Sequence, residues 1–258
     1  MSTIRPFVFG GMAVLSFALP TFEAFAQGHE ATVEEVFNAE LVFPQEKGTL
    51  QVLMAPGLHA KSGNRSGYTP LMVEYGLTDA LQAEVAWSGP RYTSAHEPSA
   101  LEIGVKYSFI DIASRPIHVA LGVEYLTPLI SREANSELEV FVVLARTFQE
   151  SGMQVFFQVG KEWGFGESDA SDLDDEEGME GSLHLGFVYP GGRVHVTGEF
   201  SMLEEKGLNQ RYLTPGFVFG PIEGWQLGIG LPIGITESSD SFRIITFITC
   251  EFELFGVD

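Results

Sequence analysis

Charged and imidazole side chains recur at every second position in several segments whose other positions are apolar. In residues 101–109, for example, Glu102 and Lys106 alternate with Leu101, Ile103 and Val105. Alternate side chains of a strand share one face, so the pattern predicts strands with one polar face each. These polar faces carry Glu74, Glu84, Glu102, Lys106, His118, Glu124, Glu139, Glu162, His184, His195, Glu199, Arg243 and Glu251.

Carboxylates dominate this set, and a surface lined with carboxylates attracts cations. One interpretation is therefore a polar pathway with a negative field that prefers cations. The alternative is a structural network in which ion pairs and water fill a narrow space.

A second group of carboxylates lies in one short stretch, residues 167–177. Hard cations such as calcium favour clusters of oxygen ligands, although the stretch lacks the glycine and the spacing of an EF-hand. It predicts a weak calcium-type site, and the alternative is a solvated loop. The candidate ligands are Asp169, Asp172, Asp174, Asp175, Glu176 and Glu177.

Motifs for covalent chemistry are missing from the sequence. It has no Gly-x-Ser-x-Gly nucleophile motif, no His/Cys cluster with zinc spacing and no glycine-rich phosphate loop. We therefore expect no catalytic residue, no cofactor and no enzymatic activity. A lipid hydrolase stays as a hypothesis, but it needs a histidine on a lipid-facing surface, whereas His118, His184 and His195 fall on polar faces.

The beginning of the chain indicates export. Arg5 precedes an apolar run at residues 7–19, and Ala24 and Ala26 form a small-x-small cleavage site. We expect residues 1–26 to be a signal peptide, residues 27–48 a periplasmic lead-in, and residues 49–258 the main domain. A retained amphipathic anchor is the alternative. The net charge of −21 excludes a nucleic-acid surface, which would be basic.

About twelve segments of alternating pattern follow one another from residue 49 to residue 254. The connections alternate between short ones, such as 78–79 and 190–192, and mostly longer, more polar ones, such as 60–67, 89–100, 166–181 and 203–209. Bacterial outer-membrane barrels have an even number of strands, short periplasmic turns and longer outer loops.

In hydrocarbon, an unpaired backbone group costs several kcal/mol, so a membrane sheet must close. We therefore predict an all-β protein, a closed antiparallel transmembrane β-barrel with about 12 strands in an up-and-down meander. The charged faces would then line its lumen. A soluble periplasmic β-protein is the alternative fold. Aromatic residues near strand ends would form girdles at the membrane surfaces, and the alternative is that they are ordinary core aromatics. They are Trp87, Tyr107, Tyr125, Trp163, Phe165, Tyr189 and Trp225.

Four stretches carry a resemblance to a known family: residues 44–48 (PQEKG), 70–81 (PLMVEYGLTDAL), 101–107 (LEIGVKY) and 120–125 (ALGVEY). Together they resemble a family of Gram-negative outer-membrane β-barrels described as transporters and labelled after the meta-pathway of phenol degradation. The resemblance implies passage of small molecules, with aromatic ones as a candidate class. Its motifs are hairpin signatures, and no functional residue is transferred.

These observations predict an outer-membrane, porin-like barrel that is a passive channel or transporter for small molecules. The alternative is a structural or accessory barrel with a plugged lumen, which binds a partner or lipopolysaccharide through its loops. The expected partners are outer-membrane lipid and lipopolysaccharide, the barrel assembly machinery and a small-molecule solute.

Overall fold

Twelve antiparallel strands make up most of the part of the chain that the structure describes. The computed structural model describes Val33 and residues 36–61, 64–89, 99–129, 136–165, 180–205 and 207–254. The strands are β1 (Thr49–Met54 and Gly57–Lys61), β2 (Asn64–Tyr68 and Leu71–Gly76), β3 (Leu81–Trp87), β4 (Ala100–Phe109), β5 (Ile117–Pro128), β6 (Ser136–Thr147), β7 (Gln154–Phe165), β8 (Glu180–Tyr189), β9 (Val194–Glu205), β10 (Leu208–Ile222), β11 (Trp225–Gly230 and Ile233–Gly234) and β12 (Phe242–Glu253).

The sheet closes on itself. Each strand pairs with the next one along the chain, and β12 also pairs with β1, from Glu253 opposite Thr49 to Ile248 opposite Met54. The predicted fold is confirmed: the protein is a closed, up-and-down barrel of 12 antiparallel strands. Within the described residues, no helix is long and apolar enough to span a membrane.

Prolines mark the breaks in the three interrupted strands. Pro56, Pro70 and Pro232 have no N–H to donate, so the regular ladder stops at each of them. Their carbonyls stay bonded to neighbouring strands: Pro56 O accepts the Thr246 N–H at 3.0 Å, and Pro232 O accepts the Arg243 N–H at 3.0 Å. The barrel wall is therefore continuous across the breaks.

Side chains alternate between an exposed apolar surface and a buried lumen. In β5, for example, Leu121 is 47% exposed, whereas Ala120 is 0% exposed. The seven aromatic residues predicted to form girdles are all exposed, between 39% and 53%. A barrel with this outer surface is suited to hydrocarbon, because all its backbone groups can pair within the wall.

The connections at one end of the barrel are short and include a three-residue 3₁₀ turn at Ile112–Ser114. At the other end, the described strands are separated by longer stretches of sequence: β3 ends at Trp87 and β4 begins at Ala100, β5 ends at Pro128 and β6 begins at Ser136, β7 ends at Phe165 and β8 begins at Glu180, and β11 ends at Gly234 and β12 begins at Phe242. Two connections predicted to be long, 60–67 and 203–209, are shorter than expected because the flanking strands extend into them. We call these two ends the short-turn end and the long-loop end.

Candidate functional site

The segment that precedes β1 lies inside the barrel. We call residues 36–46 the lumen segment. Its Phe37 and Asn38 backbone N–H groups donate to the two carboxylate oxygens of Glu199 on β9, at 2.9 and 3.0 Å. The Asn38 side chain also donates to Thr214 on β10 at 3.0 Å. The segment predicted as a lead-in before the barrel therefore lies, in its described part, within the lumen.

The middle of the lumen segment contacts β4 and β7. Lys106 Nζ on β4 lies 2.8 Å from Glu40 Oε2, and the Ser108 hydroxyl donates to the Val42 carbonyl at 2.7 Å. The Glu40 N–H donates to Gln158 Oε1 on β7 at 2.7 Å. Val42 is fully buried. The segment thus crosses the lumen and is held from several sides.

The last part of the lumen segment binds β2 and β3. The Gln45 N–H donates to Gln82 Oε1 at 2.9 Å, and the Gln45 side chain donates to Glu74 Oε2 at 3.2 Å. Gln82 in turn donates to the other oxygen of Glu74 at 2.7 Å. Since these side chains are buried, the bonds form away from bulk water, where a broken bond is costly.

Glycines in the wall make room for the lumen segment. The Phe37 ring lies over Gly216 on β10 and Gly230 on β11, where any Cβ would overlap it. The ring also contacts Phe247 on β12 at a centroid distance of 5.4 Å. The wall therefore forms an apolar pocket into which the Phe37 ring packs.

Glutamates form a nearly continuous row across the inner wall. Glu84 lies opposite Glu74, and Glu139 lies opposite both Glu124 and Glu162 in the register of adjacent strands. Glu180 extends the row, because it lies opposite Glu162. Gly104 is the single gap, between Glu84 and Glu124. We call Glu74, Glu84, Glu124, Glu139, Glu162 and Glu180 the carboxylate row.

Like charges directly opposite each other destabilise a sheet, so this row does not contribute to folding in the way an ion-pair ladder would. It also has a direction along the barrel. Glu74 lies near the short-turn end of β2, whereas Glu180 is the first residue of β8 at the long-loop end. The row therefore leads from one mouth of the barrel towards the other.

A cavity of about 540 Å³ lies between the row and the lumen segment. Its acidic side includes Glu124, Glu139, Glu162 and Glu180, and its other side includes Phe37 and Glu40. The space is large enough for a small solute or for several hydrated ions, and its wall carries mostly negative charge.

The other predicted lumen residues make local contacts with the wall. His118 accepts the Asp111 N–H at 3.2 Å and lies 3.2 Å from the Thr147 hydroxyl. His184 lies 3.0 Å from the Ser201 hydroxyl, and His195 is buried. Gln51 donates to Glu251 at 3.5 Å. The six predicted calcium ligands in residues 169–177 lie outside the described residues.

A separate polar cluster lies at the long-loop end. His59 Nδ1 is 3.0 Å from Asp240 Oδ2, and its Nε2 contacts the Ser66 hydroxyl. Serine, histidine and aspartate in this order resemble a hydrolase triad. However, Arg243 Nε donates to the same Asp240 oxygen at 2.8 Å, and Arg243 Nη2 donates to the Tyr212 hydroxyl at 2.6 Å. These bonds join β12 to β10 and β1, which is a structural role.

No family model matches the chain, and no curated protein sequence matches it. Solved structures do match its fold. The KdgM porin aligns with a TM-score of 0.58 and 7% identity, over 78% of this chain and 99% of the porin. The COG4313 outer membrane channel from Pseudomonas putida F1 aligns with a TM-score of 0.59 and 13% identity, over 84% of this chain and 100% of the channel. The chain has the fold of outer-membrane channel barrels.

Several site residues were not singled out by sequence reasoning. Glu40 and Gln158 belong to the lumen contacts, Glu180 ends the carboxylate row, and His59 and Asp240 form the polar cluster at the long-loop end. Glu180 could have been found from its alternation with the polar positions of residues 182–186. Glu40 has no such signal, because the lumen segment has no regular period.

Proposed function

We propose that the protein is a passive channel of a bacterial outer membrane and that it prefers small cationic solutes. The observation that carries this proposal is the carboxylate row, which follows the inner wall of a closed barrel from one end towards the other. The apolar outer surface and the likeness in fold to two outer-membrane channels support the location in the membrane.

The sign of the lumen charge determines the class of solute. A related complex contains KdgM porin with disordered oligogalacturonate, which is a polyanion. A polyanion would be repelled by the carboxylate row, because rings and rows of Asp or Glu select cations. We therefore infer small cations, or zwitterions that carry a cationic group, as solutes, and no covalent step during passage.

Reversal potentials in planar lipid bilayers test the proposal. Under a KCl gradient, we expect the folded protein to show channel openings, with a reversal potential whose sign indicates selectivity for cations. The double substitution Glu139→Gln with Glu162→Gln should reduce this selectivity. Glu223→Gln, in an exposed short turn, changes the net charge without changing the lumen and should leave selectivity unchanged. Anion selectivity of the unmodified protein would contradict the proposal.

A plugged, non-conducting barrel is the second candidate, and the lumen segment favours it. The segment contacts wall residues on β2, β3, β4, β7, β9 and β10, so it obstructs the lumen in this conformation. The same bilayer experiment separates the two functions. A complete lack of openings for correctly folded protein, together with no liposome swelling, would favour the plugged barrel.

A further inference from the structure

Three glutamates of the inner wall come together beside Gly104. Carboxylate oxygens of Glu84, Glu102 and Glu124 lie within 4.8 Å of one another. These residues come from three consecutive strands, β3, β4 and β5, and each is at least partly buried. Carboxylates this close repel one another unless a proton or a cation lies between them.

One carboxylate oxygen of this group has no hydrogen-bond partner. Glu84 is only 4% exposed, and its Oε1 atom is buried without a hydrogen bond. A buried, unsatisfied carboxylate oxygen is costly. Because the carboxyl group of Glu84 points towards the other two glutamates, a ligand with positive charge at this position would satisfy it.

Gly104 provides the space for this arrangement. A Cβ at this position would overlap the side chain of Glu84. With no side chain at position 104, Glu84 can lie across β4 and approach Glu124 on the far side. The gap in the carboxylate row is therefore the place where three carboxylates converge.

We propose that Glu84, Glu102 and Glu124 bind one hard divalent cation of the Ca²⁺ class. Oxygen-only ligands with several negative charges are typical of calcium, which also accepts irregular geometry and completes its shell with water. This inference goes beyond the proposed channel function, because a site in the wall can bind a cation whether or not the lumen conducts.

The lumen segment adjoins the site. Glu84 also belongs to a second group, in which its carboxylate lies within 4.8 Å of those of Glu40 and Glu74. Glu40 is part of the lumen segment and is paired with Lys106 at 2.8 Å. A cation bound beside Glu84 therefore strengthens the attraction between the wall and the segment.

Calorimetric titration of the full-length, folded protein with CaCl₂ in 100 mM KCl tests the proposal. We expect saturable Ca²⁺ binding, and at least about tenfold weaker affinity for Glu84→Gln, since even loss of an outer partner costs a metal site about that much. Gly104→Ala keeps every carboxylate but displaces Glu84, so it should weaken binding as well. The control is Glu223→Gln, which removes a carboxylate from an exposed short turn outside the lumen and should bind like the unmodified protein.

The possible results distinguish the proposed Ca²⁺ site from cation sites elsewhere in the chain, and they test this site independently of the channel function. No saturable Ca²⁺ binding, or equal binding by the unmodified protein and Glu84→Gln, would overturn the proposal; the latter result would place the cation elsewhere in the chain. If Glu84→Gln does not assemble, Glu102→Gln and Glu124→Gln test the same ligands. Protein that binds Ca²⁺ at this site but never opens in bilayers would refute the channel and keep the cation site.

Discussion

Glu199 on β9 accepts the backbone N–H of Phe37 at 2.9 Å, and this bond fixes the start of the lumen segment to the barrel wall. The second oxygen of Glu199 accepts the Asn38 N–H at 3.0 Å. One buried carboxylate thus satisfies two consecutive amides of a segment that has no secondary structure of its own. It is the contact whose removal should release the segment most directly.

Glu199→Ala should loosen the lumen segment while the barrel stays folded. Each unpaired buried donor costs about 1–3 kcal/mol, so amide hydrogen exchange in residues 36–40 should accelerate by roughly tenfold or more. Exchange measured by mass spectrometry gives this rate. Glu162→Ala removes a lumen carboxylate that the segment does not contact, and it should leave the exchange of residues 36–40 unchanged. Equal protection in both variants would show that Glu199 does not hold the segment.

Gly230→Ala should destabilise the protein by disturbing the packing of Phe37 against the wall, because the added Cβ overlaps the ring. Overpacking of this kind costs about 1–3 kcal/mol. Phe37→Ala removes the ring, so the double variant should lose less stability than the sum of the two single variants. The unfolding midpoint in urea measures this coupling. Gly164→Ala, where a Cβ meets nothing within 4 Å, is the control. If the losses of stability caused by Gly230→Ala and Phe37→Ala are additive, Phe37 does not pack against Gly230 in solution.

The strands of the barrel wall could be predicted from the sequence, because the alternation of residues within each strand shows which side chains lie on each of its two faces. In β11, Trp225, Leu227 and Ile229 are exposed, and the intervening Gln226, Gly228 and Gly230 are buried, as the alternation indicates. The ends of the strands were harder to predict from the sequence. The alternating pattern of the sequence indicates a strand near residues 212–219, whereas β10 runs from Leu208 to Ile222, because strand pairing with β9 continues as far as Leu208.

The lumen segment and the carboxylate row could not be derived from sequence in the same way. The alternating polar faces included five of the six glutamates of the row, but the alignment of these residues depends on the register between strands, which turn lengths and closure decide. Val42 is an apolar residue in an acidic stretch, and nothing local shows that the Ser108 hydroxyl will bind its carbonyl. Such contacts depend on the closed barrel.

Val123→Arg should destabilise the protein in a lipid bilayer. Val123 is 41% exposed in the middle of β5, on the outer surface, and an arginine at the bilayer midplane costs about 2–4 kcal/mol in β-barrels. Unfolding in urea from phosphatidylcholine vesicles measures the loss. Ile112→Arg, in the short turn after β4, is 40% exposed and should be nearly neutral there. Equal effects of the two arginines would indicate that the outer surface does not contact hydrocarbon.

Asp240→Asn should weaken the long-loop end of the barrel in a pH-dependent way. Burial alone would raise the pKa of Asp240, but the charge of Arg243 and the hydrogen bonds from His59 and Arg243 lower it below its ordinary value. A carboxyl group whose folded-state pKa is lowered stabilises the fold above its unfolded pKa, about 3.9, and this contribution is lost as the pH falls through the folded-state pKa.

The loss caused by Asp240→Asn should therefore be about 2 kcal/mol at pH 7, the usual range for hydrogen bonds to a charged group, and should shrink towards pH 2. Urea midpoints of the unmodified protein and the variant, measured at both pH values, give the difference directly. Comparing the two proteins cancels the titration of the other carboxylates. A difference that stays constant between pH 7 and pH 2 would mean that Asp240 acts through its shape and not through its charge. Ser66→Ala removes only the outer hydrogen bond to His59, so it should leave this pH dependence intact.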